Sequence, residues 1–158
     1  MSLPDEAATL SLGAALSRAL APGLVIWLEG DLGSGKTTLV RGVLRGLGYG
    51  GNVKSPTFTL VELYAISSLN LHHFDFYRFS QPEEYLDAGL DEYFQIGAVC
   101  LVEWPDKAGE YLAPADLRVA LSVEDQGRHA DIVSHTDAGR ACLSKLRNCL
   151  PGSTAATS

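Results

Sequence analysis

Gly30-Asp31-Leu32-Gly33-Ser34-Gly35-Lys36-Thr37 satisfies the pattern GxxxxGK[ST], and it lies between a strand-like run and a helix-like run, the setting that pattern requires. The preceding Leu24-Val25-Ile26-Trp27-Leu28 is apolar throughout and bounded by Pro22-Gly23 and Gly30, as expected of a strand buried on both faces. Residues 36–47 carry Leu39, Val43, Leu44 and Leu47 at helical spacing and are closed by Gly48 and Gly50-Gly51. Glycines at 30, 33 and 35 permit backbone angles that a Cβ resists, so successive N–H groups can turn inward around phosphate oxygens. Lys36 adds a point charge near the β and γ phosphates, and the helix that follows aims its positive end at the same anion. The Thr37 hydroxyl suits an octahedral Mg²⁺. The expected ligand is a nucleoside triphosphate with magnesium.

Outward from this loop, residues 5–20 place Ala8, Leu12, Ala15, Leu16 and Leu20 at helical spacing, with Pro4 suited to the first turn. Residues 57–66 and 69–77 read as an antiparallel hairpin about Ser67-Ser68. Residues 82–94 read as a helical segment broken at Gly89, and residues 98–104 as a second apolar strand ending in Glu103-Trp104-Pro105. Residues 117–123 and 129–135 resemble two strands joined around Asp125-Gln126-Gly127, followed by a closing helix over 137–150 capped by Asp137. The pattern predicts a three-layer α/β fold of the P-loop NTPase kind, with a mixed, mainly parallel sheet and antiparallel additions. Residues 1–150 are expected to form one domain, and residues 151–158, small and polar, a disordered tail.

Twelve Lys and Arg against 19 Asp and Glu give a net charge of -7, which argues against a broad surface for a nucleic-acid backbone. A local basic patch from Arg41, Arg45 and Lys54 is the remaining option for direct RNA contact. Cys100, Cys142 and Cys149 have neither CxxC spacing nor an even count, so a reducing cytoplasm is the simplest setting. No apolar run approaches the length of a membrane span.

Acidic groups at neighbouring strand ends are where a phosphate site finds its metal and water partners. Glu103 ends one apolar strand, where an unpaired buried carboxylate is costly but one facing Mg²⁺ is useful. Asp75 lies in His72-His73-Phe74-Asp75-Phe76-Tyr77-Arg78, where it either joins that site or pairs with Arg78. His72 and His73 point to opposite faces of a strand and so read as structural residues rather than as one metal site. Trp104 either caps the core or meets the nucleotide or a partner. Ser55-Pro56-Thr57 suits a switch loop sensing the γ phosphate, and equally an ordinary turn before a strand.

Taken together, Gly-Asp-Leu-Gly-Ser-Gly-Lys-Thr-Thr at 30–38, Ser-Pro-Thr-Phe-Thr-Leu at 55–60, His-Phe-Asp-Phe-Tyr-Arg at 73–78 and Glu-Trp-Pro at 103–105 closely resemble the TsaE family, formerly called YjeE. The resemblance covers nearly the whole chain apart from the tail. It implies a small cytoplasmic ATPase needed for the threonylcarbamoyladenosine modification at position 37 of tRNA. In such proteins the TsaB-TsaD pair performs the transfer, and the ATPase binds the pair and sustains its turnover, so tRNA is met through the complex. By position, Lys36, Asp75 and Glu103 match the catalytic residues, and Thr37, Glu103 and Asp75 match the groups around Mg²⁺. Asp31, Gly33, Ser34, Gly35, Lys36, Thr37, Thr38 and Trp104 match nucleotide-binding positions, Ser55-Pro56-Thr57 a nucleotide-responsive segment, and Thr9 and Arg128 positions near the nucleotide. Ser34 stands where Ala is common, and Phe58 and Phe76 where other aromatic or apolar residues occur. Two other readings of the same loop are a small-molecule kinase, which needs an acceptor pocket and a lid, and a binding module that does not hydrolyse its nucleotide.

Overall fold

The structure is a computed structural model that describes residues 1–66, 69–95 and 97–150. The expected turn at Ser67-Ser68 and the expected disordered tail at 151–158 lie outside those residues.

Among the described residues seven strands form one sheet: β1 (Ser2–Leu3), β2 (Val25–Glu29), β3 (Val61–Ile66), β4 (Leu69–Asp75), β5 (Val99–Glu103), β6 (Leu117–Glu124) and β7 (Gly127–Ser134), in the order β1-β7-β6-β2-β5-β4-β3. The four central strands, β6-β2-β5-β4, are mutually parallel, while β3 at one edge and β7 and β1 on the other side pair antiparallel. This is the mixed sheet expected. The two-residue β1, which pairs with Arg128 and His129 of β7, is too short to leave a periodic signal and was not foreseen.

β2 is the innermost strand, and its alternate residues serve two cores. Ile26 and Leu28 face the layer formed by α1 (Glu6–Ser17), α2 (Lys36–Gly46) and α4 (Asp137–Cys149), with Leu16, Leu39, Val43, Leu101, Leu117 and Leu146. Val25 faces the other side with Phe74, Phe76, Tyr85, Cys100 and Val102. That third layer is thin, made of α3 (Glu84–Asp87) and 3₁₀ segments over Leu90–Gln95 and Pro105–Tyr111. Aromatic stacking fills it where long helices are lacking, with Phe76 on Phe79 at 4.9 Å and Phe74 on Phe94 at 4.7 Å between ring centroids. Burial pushes the Cys100 thiol up to about 12 and the Cys142 thiol up to about 11, so both are packing groups rather than nucleophiles.

α1 and α2 touch backbone to backbone. A Cβ on Gly13 would lie 2.8 Å from Gly42 Cα, and one on Gly42 would lie 3.0 Å from Leu10 Cα, so neither helix can add a side chain at the crossing. Gly42→Ala is expected to force the helices apart and cost about 1–3 kcal/mol, the usual range for overpacking, read as a lowered melting temperature of the free protein. An unchanged melting temperature would contradict the tight crossing.

Several ends differ from the sequence reading for local reasons. Asp5 is the N-cap of α1, accepting from the Ala8 amide at 2.8 Å, so Pro4 precedes the helix instead of occupying its first turn. α4 is capped by Thr136, not Asp137. The Thr136 backbone is extended and its hydroxyl accepts from the Gly139 amide at 3.0 Å while donating to Asp116 at 2.7 Å, whereas Asp137 is already helical and pairs with Arg140. β3 begins only at Val61, because Leu60 takes a left-handed φ of 70° and its amide bonds back to Pro56. β4 stops at Asp75, whose carboxylate accepts from the Tyr77 amide at 2.9 Å and turns the chain.

Candidate functional site

The carboxyl ends of β2, β4 and β5 lie side by side, because Leu28 pairs with Glu103 and Glu103 with Asp75 in the sheet register. Beside them the loop 30–35 rises from β2 and enters α2, while the turn between β6 and β7 reaches over it from the other flank. Together with the start of α1 these walls enclose about 460 Å³, within the range of small-molecule sites.

The loop geometry follows from its glycines. Gly30, Gly33 and Gly35 have φ of 147°, 80° and 104°, values that L side chains adopt rarely. Gly30 is the most constrained, since a Cβ there would collide with the Leu121 carbonyl and lie 2.6 Å from Ser34 Oγ. Ser34 Oγ is buried and has no hydrogen-bond partner among the described residues. A buried hydroxyl in a ring of backbone amides at a helix start is suited to an anion, and phosphate oxygens fit it.

Lys36 is only 5% exposed and donates to the Gly30 carbonyl and, at 3.2 Å, to that of Asp31. Its Nζ lies 4.3 Å from the centroid of the Trp104 ring, which in turn packs at 5.0 Å on Tyr77. Burial lowers the Lys36 pKa from its ordinary value, opposed by the charges of Glu103, Asp75, Asp31 and Asp106. Trp104 follows β5 with a left-handed φ of 56°, a costly angle for a bulky residue that turns its ring into the cavity ahead of Pro105.

Glu103 is 3% exposed, and its Oε2 accepts from the Thr37 hydroxyl at 3.1 Å and lies 2.6 Å from His73 Nε2. Asp75, 5% exposed, accepts from the Ser55 hydroxyl at 3.0 Å, and Ser55 Oγ is 3.0 Å from Thr57 Oγ1. The described structure thus ties Asp75 to the Ser55-Pro56-Thr57 segment, and Arg78 instead lies over the Phe58 ring at 4.2 Å. No group of three or more His, Cys, Asp or Glu among the described residues could hold a metal ion by itself; Thr37, Glu103 and Asp75 line the cavity together as oxygen groups, the ligand type that Mg²⁺ takes when phosphates complete its shell.

The remaining sequence candidates fall around the same cavity. Asp31, Gly33, Gly35 and Thr38 line it, and Thr9 is buried in α1 with Cγ2 behind Gly35. Arg128 spans from the hairpin turn to the loop, donating to the Gly33 carbonyl from Nε at 3.2 Å and Nη2 at 2.9 Å. Sequence reasoning passed over Tyr77 and Gln126, which also line the cavity, and treated His73 as structural only. The alternation of β4 does place His73 on the face of Asp75, but its approach to Glu103 depends on a register that alternation cannot supply.

A mixed sheet whose phosphate loop, helix start and strand-end carboxylates converge in this way defines a protein of the P-loop NTPase fold. Residues 3–131 match the family described as Threonylcarbamoyl adenosine biosynthesis protein TsaE, and the chain belongs to that family. It is 40% identical over 151 residues to the tRNA threonylcarbamoyladenosine biosynthesis protein TsaE of Haemophilus influenzae, covering 92% of this chain and 96% of that protein. It is 44% identical over 119 residues to the protein of the same description from Bacillus subtilis, covering 75% of this chain and 72% of that one. The crystal structure of Bacillus subtilis YdiB is similar to the whole fold, with a TM-score of 0.78 at 32% identity over 91% of this chain and 90% of that one. The family acts in tRNA threonylcarbamoyladenosine biosynthesis. No helix among the described residues is long and apolar enough to cross a membrane.

Proposed function

We propose that this protein is a magnesium-dependent ATPase that serves threonylcarbamoyladenosine formation at position 37 of tRNA as an accessory to the TsaB-TsaD transferase pair, in the cytoplasm. The observation that carries the reading is the bond from Thr37 to a buried Glu103 at the first turn after the phosphate loop. A loop that only held phosphate has no need of a buried carboxylate there, and burying one is costly. Bound Mg²⁺ would supply charge neutralisation on the phosphates. Thr37 and the carboxylates of Glu103 and Asp75 would hold it. The loop amides and Lys36 stabilise charge as the bond to the β phosphate breaks, and Asp75 and Glu103 orient the attacking water. ATP and water give ADP and inorganic phosphate.

Described residues supply no arginine in the position of a catalytic finger, since the guanidinium of Arg128 is occupied by the Gly33 and Gly127 carbonyls. Hydrolysis by the isolated chain is therefore slow, and the TsaB-TsaD pair accelerates it; tRNA is met through that complex, in keeping with the net charge of -7. The test is phosphate release from ATP with and without the purified pair. Release that needs Mg²⁺ and rises with the pair supports the reading. Transfer of the γ phosphate to a small molecule would make the protein a kinase, and binding without release under both conditions would make it a nucleotide-dependent binding module.

A further inference from the structure

We infer that His73 is a positioning residue that sets the Mg²⁺ response of the nucleotide site by holding Glu103 against Thr37. The inference rests on the reading of this cavity as a site for Mg²⁺ and nucleotide. His73 is fully buried, at 0% exposure, in the middle of β4, an expensive place for an imidazole whose Nδ1 has no partner among the described residues. Its other nitrogen, Nε2, is 2.6 Å from Glu103 Oε2. In the sheet His73 pairs with Leu101 and Asp75 with Glu103, so His73 and Glu103 are diagonal neighbours on one face of adjacent strands. The contact is therefore made between two rigid elements, and a carboxylate oxygen that only accepts fixes the proton on Nε2.

The same Oε2 also receives the Thr37 hydroxyl proton at 3.1 Å. With that proton directed at Glu103, the lone pairs of Thr37 Oγ1 face away from the carboxylate toward the cavity, where a hard cation takes them. Two donors on one oxygen hold the carboxylate in a single rotamer. Without the imidazole, Glu103 is free to swing, the Thr37 hydroxyl loses its fixed acceptor, and the oxygen set is no longer arranged before the metal arrives. Phosphate contacts from the loop amides and Lys36 do not pass through His73, so affinity for nucleotide without metal is unaffected.

The experiment compares the dissociation constant of a fluorescent ADP analogue in EDTA and in Mg²⁺ for the wild-type chain and for His73→Leu, His73→Gln and His73→Asn. Gln carries its N–H near the position of Nε2, whereas Asn is too short to reach Glu103. His73→Leu is expected to bind as the wild type does in EDTA but to lose about tenfold or more of the gain given by Mg²⁺, the scale on which partners of metal ligands act. His73→Gln retains most of that gain and His73→Asn does not, a comparison that stands by itself should the Leu variant fail to fold. Equal weakening in EDTA and Mg²⁺, or a Gln variant no better than Asn, would overturn the inference and leave His73 a packing residue. A wild-type chain that binds no nucleotide in either condition would instead overturn the functional reading on which it rests.

Discussion

Lys36→Met is expected to weaken nucleotide binding by about 3 kcal/mol, more than ~100-fold, while the protein stays folded. The Lys36 ammonium lies against the loop carbonyls, 5% exposed and already desolvated, so its attraction to phosphate is poorly screened by water. Methionine keeps an unbranched stem as far as Cε but removes the ammonium, and with it the contact of Nζ with the Trp104 ring. The free protein offers a second readout. Burial depresses the Lys36 pKa below 10.5 in the folded state, so between its folded value and 10.5 the folded chain holds fewer protons than the unfolded one. Stability contributed through this group therefore rises with pH across that window. Relative to Lys36→Met, the wild-type melting temperature should climb as pH approaches 10.5. Titration calorimetry gives the affinity and thermal melts give the pH trend; unchanged affinity in a folded variant would remove Lys36 from the phosphate site.

Glu103→Gln is expected to lower phosphate release by about 100-fold or more, with nucleotide binding in EDTA largely preserved. Glutamine fills the same space, and its carbonyl oxygen in the place of Glu103 Oε2 still accepts from both Thr37 and His73, so the first turn of α2 stays in place. What disappears is the negative charge beside the metal and the water. Turnover and binding measured on the same preparation distinguish the two roles. A variant with wild-type turnover would make Glu103 a structural residue, and a variant that no longer binds would mean the carboxylate supports the loop itself.

These expectations draw unequally on the sequence and on the fold. The phosphate loop was legible as it stands because its eight residues are contiguous and its shape is set by local backbone freedom at Gly30, Gly33 and Gly35. The strand of Glu103 was legible as an apolar run ended by a charge, and that of Asp75 by its alternation of aromatic and acidic residues. Boundaries failed where one side chain chose between two adjacent roles, as when the Thr136 hydroxyl took the cap of α4 ahead of Asp137. β1 failed because two residues carry no period, although they close the sheet beside Arg128.

By itself, then, the sequence determined that the chain has a phosphate loop between a buried strand and a helix, that Glu103 ends a further apolar strand and Asp75 lies in another, and which family these segments resemble. Only the tertiary structure decided which of those groups meet. Thr37 and Glu103 are 66 residues apart and His73 and Glu103 are 30 apart, and no spacing along the chain encodes their contact. It is set by the strand order β2-β5-β4 and by a register in which a slip of one residue would turn Glu103 away from His73 and Thr37 to the opposite face of the sheet.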